Sequence, residues 1–244
     1  MVELLTVMAI LAILYAVMLP VAKAARGAAF EYNASNAIKQ LGMATALYAV
    51  DSDDQCPPAY YWTPSGMQAW FGQQGPSGLF DPAFSLLSPY TNGKTLRDPT
   101  HVAKEMAGDQ SGFGYNWAQI GSDAHLQGGM TTDWYCFNPA RISEVSDPSN
   151  TVFFATSAFF YAPWLPGGDG QLYDYGFVYE PYFWQGNPPV DFRHQGQRKL
   201  DPVTHQIVSE GVALAVMGDG RVRTFKQQQM KDSHFLRYQL PAIE

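Results

Sequence analysis

The chain has 244 residues, of which 46% are hydrophobic and 15% charged, so it is long enough to bury a core and we expect one globular domain. Its formal net charge is −7, and Lys and Arg form no cluster in the sequence. This excludes a surface for the phosphate backbone of nucleic acids, so no nucleic acid partner is expected. Glycine (22), proline (17) and aromatic residues (14%) are frequent, which is typical of short strands joined by many turns.

The first element is an uncharged run of nineteen residues, LLTVMAILAILYAVMLPVA, from Leu4 to Ala22. At ~1.5 Å per helical residue, the run is just long enough to cross a hydrocarbon layer of ~30 Å. It must therefore lie in a membrane or in a protein core. Three interpretations are open: a cleaved signal peptide, a simple membrane anchor, and a helix that leaves the membrane for a filament.

The residues around this run separate the three interpretations. A signal peptide begins with positive charge, whereas the charge before this run is the acidic Glu3; the sequence Ala22-Lys23-Ala24 does resemble a cleavage site. A simple anchor needs neither a carboxylate at the membrane edge nor Pro20 within the apolar run, since both are costly there. These residues favour the filament helix.

The helical pattern continues beyond the charged residues Lys23 and Arg26. Apolar or small residues recur three or four positions apart at Phe30, Ala34, Ile38, Leu41, Thr45 and Tyr48. The pattern predicts one helix that runs to about Val50 and reaches ~75 Å. We expect its first half (residues 1–26) to protrude and its second half (27–53) to pack on the globular domain.

The start of the chain resembles a mature type IV pilin or pseudopilin. It reads Met1-Val2-Glu3-Leu4-Leu5, and Glu3 stands seventeen residues before Pro20, as the pilin glutamate stands before its helix-breaking proline. The resemblance implies an α+β fold, with a long N-terminal helix packed on an antiparallel β-sheet domain. It also implies a self-assembling subunit that is processed by a prepilin peptidase and handled by an inner-membrane assembly platform. The usual first two mature residues and the leader do not occur in this sequence.

The resemblance also implies roles for individual residues. A carboxylate at position 3 within an apolar bundle needs a partner, which the N-terminal ammonium of a neighbouring subunit would supply, so that this pair sets the register of assembly. The proline is expected to kink or unwind the helix near residues 16–20 in the assembled state. The residues expected to mediate assembly are Glu3, Leu4, Leu5, Leu11, Leu14 and Pro20.

The remainder, residues 54–244, is predicted to be a β-rich head. The sequence between Asp51 and Pro58 ends the helical periodicity. Apolar and β-branched runs bounded by turns predict an antiparallel sheet laid on the helix, with a hairpin turn at Gly218-Asp219-Gly220. The predicted strands are Thr151–Ser157, Leu172–Glu180 and Val212–Phe225, the last interrupted at that turn.

The C-terminal region resembles a pseudopilin-like family of planctomycetes, verrucomicrobia and related bacteria, in which Arg-His, a glycine and then Asp-Gly precede a last strand. The matching residues are Arg193, His194, Gly196, Asp219 and Gly220. The interval between the His and the Asp-Gly is longer here, with twenty-four residues between them. We interpret the polar stretch 198–210 as a surface loop inserted into a hairpin, and we expect a structural hydrogen bond between His194 and the nearby turn.

Two further features have open alternatives. Cys56 and Cys136 would form a disulfide outside the cytoplasm, or they are two buried thiols. The acidic residues Asp51, Asp53 and Asp54 would hold a calcium ion, or they form a solvated turn, and the glycine of a calcium loop is missing. The solvated turn is favoured, and no cofactor is expected.

Catalysis is not predicted. His194, His205, Asp191, Asp201 and Asp219 fall in one C-terminal stretch, but their spacing is not diagnostic of a metal or acid–base site. We therefore expect no enzymatic activity.

The favoured function is a structural subunit of an extracellular type IV pilus-like filament, which waits in the inner membrane before assembly. One alternative is a pseudopilin of a type II secretion-like machine, with a short periplasmic filament. A second is a membrane-anchored carbohydrate-binding domain, because the aromatic-rich stretch Phe159 to Trp184 would stack on sugars if it were exposed.

Overall fold

The computed structural model of the chain describes residues 2–101, 103–105, 107–108, 110–126, 138–163, 165–196, 198–201, 204 and 207–238, without the side chains of Val2, Leu5 and Leu200. The fold is α+β: a long apolar N-terminal helix, α1, is followed by several β-sheets. This confirms the predicted fold class in its general form.

Helix α1 spans Val2–Asp51, so the predicted end near Val50 is confirmed. Pro20 lies inside the helix, which continues through it in the single chain. The helix ends just before Asp53 and Asp54, which take left-handed backbone conformations with φ of 51° and 69°. Short polar side chains tolerate that region better than most, which explains why the acidic cluster stops the helix here.

The second half of α1 packs on the head through the predicted face. Ala34, Ile38, Leu41 and Thr45 are buried. Phe30 is 39% exposed, so the prediction was wrong for the first member of that face. One residue later, Gln195 Nε2 of the head donates a hydrogen bond to Glu31 Oε1 of the helix over 2.6 Å.

The head is built from short strands. They are β1 Tyr60–Thr63, β2 Gly66–Ala69, β3 Gly72–Gln74, β4 Phe80–Asp81, β5 Phe113–Asn116, β6 Val152–Thr156, β7 Phe159–Tyr161, β8 Gln171–Tyr173, β9 Phe177–Val178, β10 Arg198–Leu200, β11 Ile207–Ser209, β12 Val212–Met217 and β13 Val222–Lys226. Short 3-10 turns occur at Pro82–Phe84, Ser88–Thr91, Ile142–Glu144, Pro181–Phe183, Gln227–Gln229 and Asp232–His234.

The central sheet has five strands in the order β13-β12-β6-β5-β9, antiparallel except for the β5–β9 pair. A four-stranded antiparallel meander, β1 to β4, forms a second sheet. Two separate hairpins pair β7 with β8 and β10 with β11.

The predicted strands Thr151–Ser157 and Val212–Phe225 and the Asp-Gly hairpin between β12 and β13 are confirmed. The prediction of a single strand Leu172–Glu180 is wrong, because this stretch is broken into β8 and β9, which belong to different sheets. The break begins at Asp174, whose carboxylate accepts backbone hydrogen bonds from Gln110 and Gly112.

The two faces of the central sheet are buried against different layers. On one face, Tyr115, Phe154 and Val216 pack with Ile38 and Leu41 of α1. On the other face, Val152, Ala155, Ala213, Ala215, Met217 and Phe225 pack against Val190, Phe192, Met230 and Phe235 from the C-terminal segments. Because side chains alternate across a strand, β6 and β12 contribute to both clusters.

The helix and sheet approach each other closely at Gly42. A Cβ at this position would lie 2.7 Å from Cγ2 of the fully buried Val216 on β12. Glycine is therefore used for close packing here, within a helix where it is otherwise disfavoured.

The stretch 198–210 differs from the prediction. It contains the hairpin formed by Arg198–Leu200 and Ile207–Ser209, with Ile207 buried, and is therefore not a plain surface loop. The sequence pattern hid these strands because each has three residues, which is too short for a period of two to be visible.

Candidate functional site

The first half of α1 presents a continuous apolar surface that no part of the described chain covers. The large apolar side chains from Leu4 to Val21 that the structure describes are between 45% and 70% exposed. They include the predicted assembly residues Leu4, Leu11 and Leu14, whereas the side chain of Leu5 lies outside the described residues.

These residues occupy every side of the helix. Ile13, Leu14, Tyr15, Ala16 and Val17 are all exposed, and at 100° per residue they point in all directions. A helix that is apolar all round is stable when it is buried on every side, by lipid or by other helices. Within the described residues, α1 is long and apolar enough to cross a membrane.

Charged residues mark both ends of this surface. Glu3 precedes it, and Lys23 and Arg26 follow it, all three exposed to solvent. Glu3 lies in the first turn, where a carboxylate complements the helix dipole. Pro20 lies one turn after Ala16 and has no backbone N–H, so the carbonyl of Ala16 lacks its usual helical donor.

The C-terminal motif lies in a second place, the buried interior of the head. Arg193 uses its guanidinium fully: Nε donates to Asp98 Oδ2 (2.8 Å), Nη1 donates to Asp191 Oδ2 (2.6 Å), and Nη2 donates to the carbonyl of Gly112. Arg198 Nη2 lies 3.0 Å from the same Asp191 oxygen. The cluster thus joins segments that are far apart in the chain.

His194 completes this arrangement. Its Nε2 lies 3.1 Å from Asp98 Oδ2, and both side chains are buried. Asp98 Oδ1 accepts hydrogen bonds from the backbone and the hydroxyl of Thr100. Burial by itself raises the pKa of the Asp98 carboxyl, but the hydrogen bond from His194 and the charge of Arg193 outweigh this and hold its pKa well below the usual range.

A second histidine extends the cluster. His101 Nδ1 lies 3.0 Å from Arg193 Nη1, and its Nε2 lies 3.0 Å from Asp174 Oδ1. Asp174 also accepts hydrogen bonds from the backbone N–H groups of Gln110 and Gly112. Charge pairing and backbone donors therefore satisfy most of these groups inside the fold. Two exceptions among the described residues are His101 Nε2, whose 3.0 Å contact with Asp174 does not have hydrogen-bond geometry, and Asp191 Oδ1, which has no hydrogen-bond partner.

The structural hydrogen bond expected of His194 is made to Asp98 and not to the Asp-Gly turn. The backbone of His194 pairs with Val212 at the start of β12, whereas Asp219 and Gly220 form the turn that follows its end at Met217. Close packing explains the glycine at position 196, because a Cβ there would lie 2.3 Å from the backbone nitrogen of Gly211. The motif thus brings Arg193, His194 and Gly196 together but not the Asp-Gly pair.

Sequence reasoning missed the partners of the motif. Asp98, His101, Asp174 and Arg198 lie in separate segments, and a lone acidic or basic residue in a loop carries no recognisable pattern. The sequence singles out Asp191, but only as one of several residues considered for a metal or acid–base site. His205, another of those residues, lies outside the described residues.

The acidic cluster after α1 is used for hydrogen bonding. Tyr90 Oη donates to Asp51 Oδ2 over 3.0 Å, and Ser143 donates its backbone N–H and its hydroxyl to Asp54 Oδ2. Asp53 is exposed. Among the described residues no group of three or more His, Cys, Asp or Glu side chains is placed to hold a metal ion, so this geometry does not favour the calcium alternative.

Cys56 is buried, at 1% exposure, beside Tyr115 in the core under α1. Burial raises the pKa of its thiol to about 12. Its predicted partner, Cys136, lies outside the described residues, so the disulfide stays a prediction.

The aromatic-rich stretch from Phe159 to Trp184 contains both buried and exposed side chains. Phe160, Val178 and Trp184 are buried, whereas Tyr182 is 78% exposed. Tyr175 and Phe177 help to line an open apolar groove of about 360 Å³. The other lining residues, Tyr60, Trp62, Met67 and Trp117, come from elsewhere in the chain.

Comparison with known proteins adds no relative: no family model matches the chain, no curated protein matches its sequence and no solved structure matches its fold.

Proposed function

We propose that this chain is a structural subunit of a type IV pilus-like filament, which assembles through the apolar half of α1. One observation carries the proposal. A single helix of 50 residues is uncovered and apolar all round in its first half and forms part of the core of the head in its second half.

This continuity favours a filament subunit over a simple anchor. An anchor needs only to hold its domain near the membrane, and a flexible linker serves that purpose. Here the apolar first half of α1 continues without a break into the half that packs in the core. The position of one helix in an assembly therefore fixes the position of its head. A shared helical core coated by β-rich heads then buries the surface from Leu4 to Val21 that is exposed in the single chain.

The residues at the ends of the apolar surface fit the same proposal. The Glu3 carboxylate, exposed in the single chain, gains a partner in the N-terminal ammonium of a neighbouring subunit and sets the register. Pro20 weakens the helix at Ala16, where the assembled form kinks or unwinds. The partners are other copies of the chain, a prepilin peptidase and an inner-membrane assembly platform, and the fibre lies at the cell surface.

Two alternatives use the same anchor. A pseudopilin of a type II secretion-like machine would assemble identically but stay short and periplasmic. A membrane-anchored carbohydrate-binding domain is favoured by the aromatic groove that Trp62, Trp117 and Tyr175 line, since aromatic faces stack on sugars.

The test is electron microscopy of material sheared from cells that make the protein, with mass spectrometry of the subunit N-terminus. Three forms are compared: wild type, Glu3→Gln, and Glu105→Gln as a control at an exposed position on the head. We expect thin filaments of a processed, N-methylated chain from wild type and the control, and membrane-bound monomers from Glu3→Gln. Wild-type chains that stay monomeric in the membrane would overturn the proposal, and unchanged filaments from Glu3→Gln would remove the role of Glu3.

A further inference from the structure

A polar cleft of about 440 Å³ opens beside the edge strand β13. It is lined by Asn150, Arg223, Thr224, Phe225, Gln229, Lys231, Ser233 and His234. Phe225 belongs to the cluster on the sheet face away from α1, and Arg223, two residues earlier on the strand, shares that face. Among the described residues the lining thus contains two permanent cations, a histidine and no carboxylate, in a chain with a net charge of −7.

His234 is the central group of this cleft. It is 9% exposed, and its ring lies 5.0 Å from the ring of Phe225. Its Nδ1 accepts the backbone N–H of Lys231 over 3.0 Å, so the neutral ring carries its proton on Nε2. In the described part of the chain that Nε2–H has no hydrogen-bond acceptor. This nitrogen is not one of the buried polar atoms that lack a partner; it is accessible from the cleft, where it can donate to a ligand.

Arg223 is held in place next to this histidine. Its guanidinium lies 4.8 Å from the centre of the Phe225 ring, and Nη1 donates to Asn150 Oδ1 over 3.1 Å. These contacts fix the plane of the guanidinium and leave further N–H groups free to donate. A fixed guanidinium fork matches two oxygens of an oxyanion.

The surrounding charges also favour a negatively charged ligand. Burial lowers the pKa of His234, and the charges of Arg223 and Lys231 lower it further, so the empty cleft repels a third positive charge. The nearest acidic side chain in sequence, Asp232, is engaged elsewhere, since its Oδ1 accepts the backbone N–H of Tyr182 over 2.7 Å. An anion would satisfy all three nitrogen-bearing side chains at once.

We propose that this cleft binds a small phosphate or sulfate ester. Arg223 and Lys231 contact the oxyanion, and His234 donates its Nε2–H to it. The volume falls in the range of ligand sites, roughly 300–1,000 Å³, and leaves room for an organic part beside the anionic group.

Calorimetric titration of the full chain in detergent micelles tests the proposal. Sulfate is the first probe because it keeps its double charge from pH 5.5 to 7.5, and chloride at equal ionic strength is the reference. We expect saturable sulfate binding that tightens as the pH falls, because the bound anion favours the protonated form of His234. Binding no stronger than that of chloride, or an affinity independent of pH, would overturn the proposal.

Variants locate the site. Arg223→Ala and Lys231→Ala change exposed side chains and should each weaken sulfate binding by roughly ten- to hundredfold. Lys199→Ala removes an exposed cation from the β10–β11 hairpin and should leave the affinity unchanged. His234→Gln should abolish the pH dependence. Equal affinities in wild type, Arg223→Ala and Lys231→Ala would show that sulfate binds elsewhere and would reject the cleft.

The organic part is tested with two esters. Glucose 6-phosphate represents a soluble sugar ester and glycerol 3-phosphate a lipid headgroup, with glucose and glycerol as uncharged controls. Preference for one ester over inorganic phosphate identifies the source of the ligand. If neither ester binds more tightly than inorganic phosphate, the proposal of an organic ligand is wrong.

Discussion

His194 and Asp98, separated by 96 positions in the chain, meet inside the head with His194 Nε2 3.1 Å from Asp98 Oδ2. Arg193 Nε donates to the same oxygen from 2.8 Å. One carboxylate thus ties the segment before β5 to the segment before β10. Two neighbouring motif residues obtain their partner from a loop that sequence reasoning did not single out.

Replacement of this carboxylate should destabilise the head strongly. Asp98→Asn keeps the acceptor for Thr100 but leaves the buried Arg193 and His194 without their shared negative charge. Removal of one member of a buried charge pair costs about 3–5 kcal/mol. We expect a loss of this size in urea unfolding of the full chain in detergent. Asp53→Asn, at an exposed turn residue with positive φ, is the control and should change stability by less than about 0.5 kcal/mol.

The same carboxylate should make the fold sensitive to acid. Its pKa is lower in the folded chain than its unfolded value of about 3.9, so folding favours the ionised form. The resulting stability is complete above that unfolded value and is lost progressively as the pH falls below it. Urea unfolding at a series of pH values from 6 to 2 should therefore show a decline that is weaker in Asp98→Asn. Equal slopes for the two proteins would contradict the assignment.

Gly42 and Gly27 offer a matched pair within one helix. A Cβ at position 42 would lie 2.7 Å from Val216 Cγ2, whereas at position 27 it would meet no atom within 4 Å. Overpacking costs about 1–3 kcal/mol and removal of a helical glycine returns about 1 kcal/mol. Gly42→Ala should therefore lower the stability of the head by about 1 kcal/mol, and Gly27→Ala should not lower it. A stabilised Gly42→Ala would mean that helix and sheet are less closely packed than described.

Cys56 should resist alkylation in the folded chain. Its thiol is buried and has a pKa of about 12, so it offers neither access nor thiolate at pH 8. After reduction, iodoacetamide should modify Cys56 only when urea is added, as followed by peptide mass spectrometry. Rapid modification under native conditions would place this residue at the surface. The same digest without reduction tests the predicted disulfide with Cys136.

Removal of residues 1–26 should separate assembly from folding. The deleted half of α1 has exposed side chains at all positions that the structure describes, whereas Ala34, Ile38 and Leu41 remain to fill the core. We expect a soluble, cooperatively folding monomer by analytical ultracentrifugation and circular dichroism. A truncated chain that still polymerises would move the assembly surface to the β-rich head.

Much of the fold could be predicted from local patterns. The apolar run and the period of three to four along α1 indicated its length, because helical periodicity is visible over many residues. The strands β6 and β12 and the Asp-Gly turn were recognisable for similar reasons. The short strands β10 and β11 were not, since three residues are too few to show alternation.

The sequence by itself therefore determined that the chain has a long N-terminal helix with an apolar first half, and that an antiparallel sheet packs on the second half. These features are local or repetitive, and hydrophobic patterning encodes them directly. Only the tertiary structure decided which side chains meet. The pairing of Arg193 and His194 with Asp98, and the gathering of Arg223, Lys231 and His234 around one cleft, depend on segments that chain folding brings together, and a single charged residue in a loop does not reveal its partner.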